Sequence, residues 1–584
     1  MNNILKTGLL TLMVGTLASC EDVFTPSPEN NLPLDYLEEN ANYAQNVLGN
    51  VYMYIPGFQF NEPATDDAVS NEADNSWRQM AAGRWTSVSN PMNRWETCRS
   101  AIQYCNIFLS ELDKVTWTSD PKANALFHDR FYGEAHALRG IMSYFLLQAH
   151  AGVDQSGQLL GYPIVKVAED ASSDFNVPRN TFVECINDIN SDFETALKYL
   201  PTEYGEEYYT ELAGKYPEAS ASSIARVFGP EFQGRVSGRV IKGFVSRIKL
   251  LAASPAFEAS GVTWAEAADA AAELIDRDGY LMEVPVLGGT WYCDPDMQNL
   301  TDGGCPDEVI WRDVKGNSHD REESYFPPTL YGNGRMNPTQ NLVDAFPMEN
   351  GYPIDAPQSS YDKTNPYAGR DLRLAQYILY NGGRAGTDNK EISTISDDTN
   401  DGIDMISTST RTGYYMKKHL RQDVNCNPSN RVDQLHYNAR LRYTEFLLNY
   451  AEAANEAWGP KGTGSHSFSA YDVIREIRIR AGLGFENGDA YLRECAASKE
   501  AMRELIRNER RIELCFEGFR FYDLRRWKVS LEKLNEPAMG ITIVDGVYTP
   551  FTVETRNYQP HMYYGPIPYS ETLKFSNLQQ NAGW

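Results

Sequence analysis

Residues 503–528 read RELIRNERRIELCFEGFRFYDLRRWK. Leu505, Ile506 and Leu514 recur at helical spacing and mark an apolar face. Around them stand Arg507, Glu509, Arg510, Arg511 and Glu513, mixing both signs of charge turn after turn. Gly518 ends the helix, and an aromatic, charged segment follows. Arg and Glu packed this densely beside an apolar stripe point to an ion-pair network that fixes helix packing. The rest of the chain shows the same helical period. Trp95, Cys98, Ile102, Cys105, Leu109 and Leu112 form one stripe. Residues 123–150 (ANALFHDRFYGEAHALRGIMSYFLLQAH) predict a second helix, with small Ala and Gly placed for close packing. Phe182, Cys185, Ile186, Ile189, Phe193 and Leu197 mark a third. Residues 237–254, stopped by Pro255, predict a fourth, and Trp264 to Ile275 a fifth. The period returns at 439–457, 468–481 and 498–514. Between 281 and 437, Gly, Pro, Asn, Asp and Tyr dominate, with short strand-like runs such as Val309-Ile310-Trp311. From Gly540 on, turns and short strands are expected. The expected fold is mainly α: paired helices of tetratricopeptide type, with no clean repeat of about 34 residues, carrying a large irregular lobe with short strands. A loop-rich segment that long is usually functional.

The chain opens MNNILKTGLLTLMVGTLASC. Lys6 is a positive n-region, and Leu9 to Leu17 form an apolar run too short to cross a bilayer. Leu17-Ala18-Ser19-Cys20 resembles a bacterial lipobox, in which Cys20 is lipidated and becomes the mature N-terminus; the plain alternative is an ordinary signal peptide. Residues 1–19 thus read as the signal and 20–31, ending in TPSPENN, as a tether. Losing one lysine with the signal takes the net charge from −26 to −27. So acidic a chain is a poor partner for nucleic acid or an anionic membrane. Hydrophobic content of 42% over 584 residues supports one large or two intimately packed cores. The 35 Tyr and 10 Trp exceed what a core needs and suit a binding surface.

Strong catalytic signatures are absent: there is no HExxH, GxSxG or GxxxxGK[ST] motif, and no paired CxxC. The acidic residues would permit a two-carboxylate glycosidase, but abundance alone does not make such a pair. Asp397, Thr399, Asp401 and Gly402 fit the first positions of a calcium loop, yet Thr408 stands where the closing Glu belongs, so a solvated acidic turn is the competing reading. Calcium is the one cofactor this pattern admits. Cys98 and Cys105 lie two helical turns apart, too far to bond, and read as small core residues. Cys293 and Cys305 bracket an Asp- and Gly-rich loop and could pair in an exported protein, or stay free.

Residues 503–528 closely resemble the signature of the SusD/RagB family of Bacteroidetes outer-membrane nutrient-binding lipoproteins. Supporting segments are GEAHALRGIMSYFLLQAH (133–150), GRVIKGFVSRIKLLAAS (238–254), PTQNLVDAFPMENG (338–351), TGYYMKK (412–418), LRYTEFLLNYAEAANE (441–456) and PIPYSETLKFSNLQQNAGW (566–584). The resemblance spans the mature chain, as a helical region at 32–280 and a SusD/RagB region at 281–584 packed into one unit. It implies four tetratricopeptide-like helix pairs supporting an irregular ligand-binding face. It also implies a lipoprotein on the outer leaflet that binds glycans, does not cleave them, and serves a SusC-like TonB-dependent transporter. A peptide-binding surface lipoprotein and a surface glycoside hydrolase are the alternatives.

Sugars are held by aromatic rings against their C–H faces and by Asp, Asn and Arg at their hydroxyls. Residues 64–85 combine Asp66, Asp67, Asn75, Trp77, Arg78 and Trp85 in a poorly periodic stretch, and Asp67 with Trp85 is the first candidate pair. The second is 291–331, with Trp291, Tyr292, Trp311, Tyr325 and Tyr331; Arg370 is a third. For each aromatic the competing reading is core packing.

Overall fold

The computed structural model describes residues 35–277, 291–292, 298–395 and 399–584. Cys20, the signal and tether segments, Cys293 and Asp397 lie outside the described residues.

Ten helices carry the scaffold: α1 (Ala41–Tyr54), α2 (Trp95–Glu111), α3 (Pro121–His150), α4 (Phe182–Tyr199), α5 (Gly238–Ala253), α6 (Trp264–Arg277), α7 (Tyr443–Trp458), α8 (Ala470–Arg480), α9 (Lys499–Glu513) and α10 (Arg520–Arg526). Most starts are set by side-chain caps. Asp120 precedes Pro121 at α3 and accepts from the Lys122 N–H. Thr181 with Glu184, and Ser469 with Asp472, close reciprocal capping boxes at α4 and α8. Each of α1 to α6 packs on the next in sequence, and α6 packs on α7, which carries α8 and α9. This is the stacking that paired-helix repeats produce. One large core follows from it, including Ile141, Phe193, Phe244, Leu274, Phe446 and Ile506. At Gly140 in α3, an added Cβ would lie 2.6 Å from the Phe193 ring of α4. The absent side chain is what lets these helices approach.

Among the described residues, the strands of the irregular lobe form two-stranded antiparallel pairings. β1 (Val309–Arg312) pairs with β4 (Ala439–Arg442), and β2 (Gly316–Ser318) with β3 (Gln434–His436). A C-terminal hairpin joins β5 (Ala538–Val544) to β6 (Val547–Glu554). A second core, including Phe326, Leu342, Phe346, Tyr377, Tyr414 and Phe516, fills the lobe.

α9 joins the two parts through the network its sequence promises. Glu509 accepts from Arg373 at 2.9 Å and Arg478 at 2.6 Å. Glu513 accepts from Arg480 at 2.6 Å and Arg373 at 3.1 Å. Arg510 reaches Asp523 at 2.8 Å, and Arg526 reaches Glu452 at 2.6 Å. All of these groups are buried. Burying so many charges is tolerated because each meets an opposite charge with good hydrogen-bond geometry. Beyond α9 the backbone turns through two left-handed residues, Phe516 (φ 60°) and Gly518 (φ 77°). A Cβ at Gly518 would sit 2.9 Å from the Gln59 carbonyl, so glycine lets residues 59–62 close in. There the Gly518 N–H donates to Glu62 and its carbonyl accepts from Asn61, both at 2.9 Å.

Candidate functional site

The first candidate segment is interior. Trp85 is 2% exposed; its indole N–H donates to Asn90 at 3.0 Å, Trp584 meets it edge-on at 4.8 Å, and the Arg525 guanidinium lies 5.2 Å from its ring centre. Trp77 is buried edge-to-face against Phe521. Arg78 pairs with Glu554 at 3.0 Å. Asp67 is 0% exposed and accepts from Arg511 Nε at 2.7 Å. Burial pushes its carboxyl up. Burial acts in the same direction on Asp66, but Arg511, Arg520 and Lys533 outweigh it and hold that carboxyl well below the usual range. Asp67 and Trp85 are thus both buried and engaged within the protein, where they cement the fold around α9 and α10.

Arg370 is a clasp as well, donating to the carbonyls of Pro366, Val343 and Phe346 at 2.6–2.9 Å. Tyr331 is 54% exposed but borders neither cavity described below. Asp401 turns inward and accepts the Thr329 N–H at 2.8 Å, while the Thr399 hydroxyl donates to the Ser393 carbonyl. The one described carboxylate of the calcium reading is thus engaged with the protein itself. Cys305 is half-buried, and its candidate partner Cys293 lies outside the described residues.

The second candidate segment stands at a trough. Two adjoining cavities, of about 180 Å³ and 460 Å³, share Phe58, Asp313 and Asn438 in their walls. The smaller is walled by α3 (Tyr144, Gln148), α5 (Phe244, Arg247), Trp311 of β1, Arg440 of β4 and Tyr522 of α10. The larger is walled by Phe60, Arg321, Tyr325 and Tyr437. Phe58 and Phe60 meet edge-on at 4.9 Å, and Phe60 meets Tyr325 at 4.8 Å. Behind them, buried Trp291 and Tyr292 pack on His419 at 5.6 and 5.2 Å. Trp311 is buried as well, with its indole N–H on the Gly234 carbonyl and Arg440 stacked 4.8 Å from its ring centre. Trp291 and Tyr292 therefore back the trough, Trp311 lends a buried ring to the wall of the smaller cavity, and Tyr325 lines the larger one half-exposed. Burial raises the Tyr325 hydroxyl to about 12, so it stays a neutral donor.

A polar brace crosses the shared wall. Asn438 donates its N–H and side-chain amide to the two Asp313 oxygens, each at 2.6 Å, and accepts from Arg321 at 2.6 Å. The other carboxylates of the smaller cavity are ion-paired: Glu445 with Arg247, Glu517 with Arg442 and Lys418, Asp523 with Arg510 and Arg526. Phe58, Phe60, Arg94, Asn438 and Arg440 are the trough residues that sequence reasoning passed over. The signal available for the first two was a Pro-Gly turn carrying two aromatics, IPGFQF at 55–60, directly after a helical run.

Helices stacked in sequence, bearing a loop-built lobe with a polar and aromatic trough, define a helical-scaffold protein of the tetratricopeptide-like kind. Two family models match this chain: one described as the SusD family over residues 307–584, the other as "starch-binding associating with outer membrane" over residues 31–228. The chain belongs to the SusD/RagB family. It is 31% identical over 143 residues to SusD-like protein P2 of Formosa agariphila, a match that spans only 24% of that protein's length. A SusD-like protein of Bacteroides fragilis superposes with a TM-score of 0.71 at 23% identity, covering 95% of this chain and all of the other. A SusD-like carbohydrate-binding protein from the same species superposes at 0.67 with 20% identity, covering 93% of this chain and all of the other. At those identities the likeness establishes the fold.

Proposed function

We propose that this protein is a cell-surface, lipid-anchored glycan-binding protein that captures oligosaccharide in the trough and passes it to a SusC-like TonB-dependent transporter. The carrying observation is the trough: half-exposed Phe58, Phe60 and Tyr325 offer ring faces and edges beside the Asp313–Asn438–Arg321 brace. Rings against sugar C–H faces with fixed polar groups alongside is the chemistry of sugar recognition. The descriptions of the matching family and of one carbohydrate-binding structural relative support the same reading. Binding without cleavage fits the engaged state of the cavity's carboxylates, because a glycosidase needs two of them free to meet the substrate. A glycan array with the soluble mature protein tests the reading. Phe58→Ala and Tyr325→Ala should each weaken the best glycan about tenfold, the loss expected from one stacking ring. No glycan bound, or unchanged affinity in both variants, would sink it.

A further inference from the structure

Most buried arginines of this fold are ion-paired. Arg442 meets Glu308 and Glu517, and Arg526 meets Glu452 and Asp523. Buried Arg370 and Arg525, which pair with no carboxylate among the described residues, donate to main-chain carbonyls, with one nitrogen of each left over. Three guanidiniums at the trough depart from this pattern. Arg440 makes no ion pair and donates no hydrogen bond among the described residues; its Nε is buried without a partner, and its plane stacks on Trp311. Among the described residues, the Arg94 guanidinium donates only to the neutral Gln59 amide, at 2.6 Å. Arg321 donates to Asn438 at 2.6 Å and to the His419 carbonyl at 3.4 Å, both neutral. Burial lowers the pKa of Arg440 and Arg321, yet a guanidinium so shifted still stays charged near neutral pH. The opposing charges are Asp313, whose two oxygens Asn438 occupies, and exposed Asp320 on the rim.

We infer that the trough takes anionic glycans, carrying uronate carboxylates or sulfate esters, and selects them over neutral ones. This rests on the glycan-binding reading. A guanidinium with open donors is a planar fork that matches a carboxylate or sulfate two bonds at a time. Trp311 holds the Arg440 fork in place before any ligand arrives, which lowers the entropy cost of binding. The formal net charge of −26 opposes anions at long range, but salt screens that repulsion within about 8 Å at physiological ionic strength, so the local forks decide.

The test compares matched probes by calorimetry on the soluble mature chain at about 0.15 M salt. The pairs are polygalacturonate with its carboxyl-reduced neutral galactan, and dextran sulfate with dextran; poly-glutamate serves as a polyanion that is not a sugar. The expected result is that one charged glycan binds at least about tenfold tighter than its neutral partner, and that the preference shrinks as salt rises. Which pair shows it tells carboxylate from sulfate. Arg440→Gln should erase most of the preference for the charged probe, Arg440→Lys should restore only part of it, and Arg94→Gln provides a second removal at a different wall. Thermal unfolding checks that each variant is folded. Neutral partners binding as well as charged ones, poly-glutamate binding as tightly as the charged sugar, or a preference that survives both charge removals would overturn the inference while leaving glycan binding intact. No binding to any of these probes, nor to a broad array of glycans, would overturn the parent reading as well.

Discussion

Asp67 and Trp85 share a polar, irregular segment, and both work inward. Arg511, 444 residues along the chain, meets Asp67, and Trp85 packs against Trp584 at the C-terminus. Trp85→Ala should therefore cost about 3–5 kcal/mol of stability, seen in urea unfolding, with glycan affinity unchanged once the protein is folded. Lost affinity at full stability would return Trp85 to the binding face. Glu62 invites a second measurement. Its carboxylate accepts the Gly518 N–H, its other oxygen is buried without a partner, and burial raises its pKa to about 8. A carboxyl raised from 4.5 when folded binds its proton more tightly in the native state. Its stabilising contribution is complete below 4.5, declines as pH rises towards 8, and is flat above. Glu62→Gln should flatten that part of the stability–pH curve. An unchanged slope between those limits would assign the effect to another group.

At the scale of elements, α9 works as a charged core. Burial raises the Glu513 pKa, but Arg480, Arg442 and Arg373 overcome this and bring it down to about 2. Its contribution is therefore present above 4.5 and lost as pH falls from there to 2. Glu513→Ala leaves Arg480 without its main partner and strips one from Arg373 and Arg442, which should cost about 3–5 kcal/mol in urea unfolding. A loss under 1 kcal/mol would mean that the remaining carboxylates absorb the charge. The sequence made the helical side of this network legible, because mixed Arg and Glu along an apolar stripe have few other uses. Helices α2 to α9 were legible through their apolar period. The partners were not. Arg373, Arg442, Arg478 and Asp67 reach α9 only through the fold, and nothing near them in sequence marks a contact so distant. An acidic residue in a loop reads alike whether it faces a sugar or a buried arginine. That ambiguity displaced the first candidate site, while an aromatic-rich segment such as 291–331 led to the trough because supporting rings and contacting rings cluster together.

At the scale of the molecule, the proposed function requires that the trough be held where a transporter can take its cargo. Fourteen residues lie between Cys20 and Asp35, the first described residue, so their contour length is at most about 50 Å. That confines the trough to the first layers above a membrane if Cys20 carries acyl chains. No described helix is long and apolar enough to cross a bilayer. Cys20→Ala should then move the protein from the membrane fraction to the soluble or secreted one, and a mutant that remains membrane-bound and surface-exposed would refute the lipid anchor. The partner is tested on the wild type. Extraction in mild detergent should co-purify a large β-barrel transporter with the anchored protein. Saturating glycan should leave that association intact, because capture and handover require the two proteins to stay together while the trough fills. Recovery of this protein alone, under conditions that preserve other barrel complexes, would separate glycan capture from transport and leave the trough as a surface receptor without a channel.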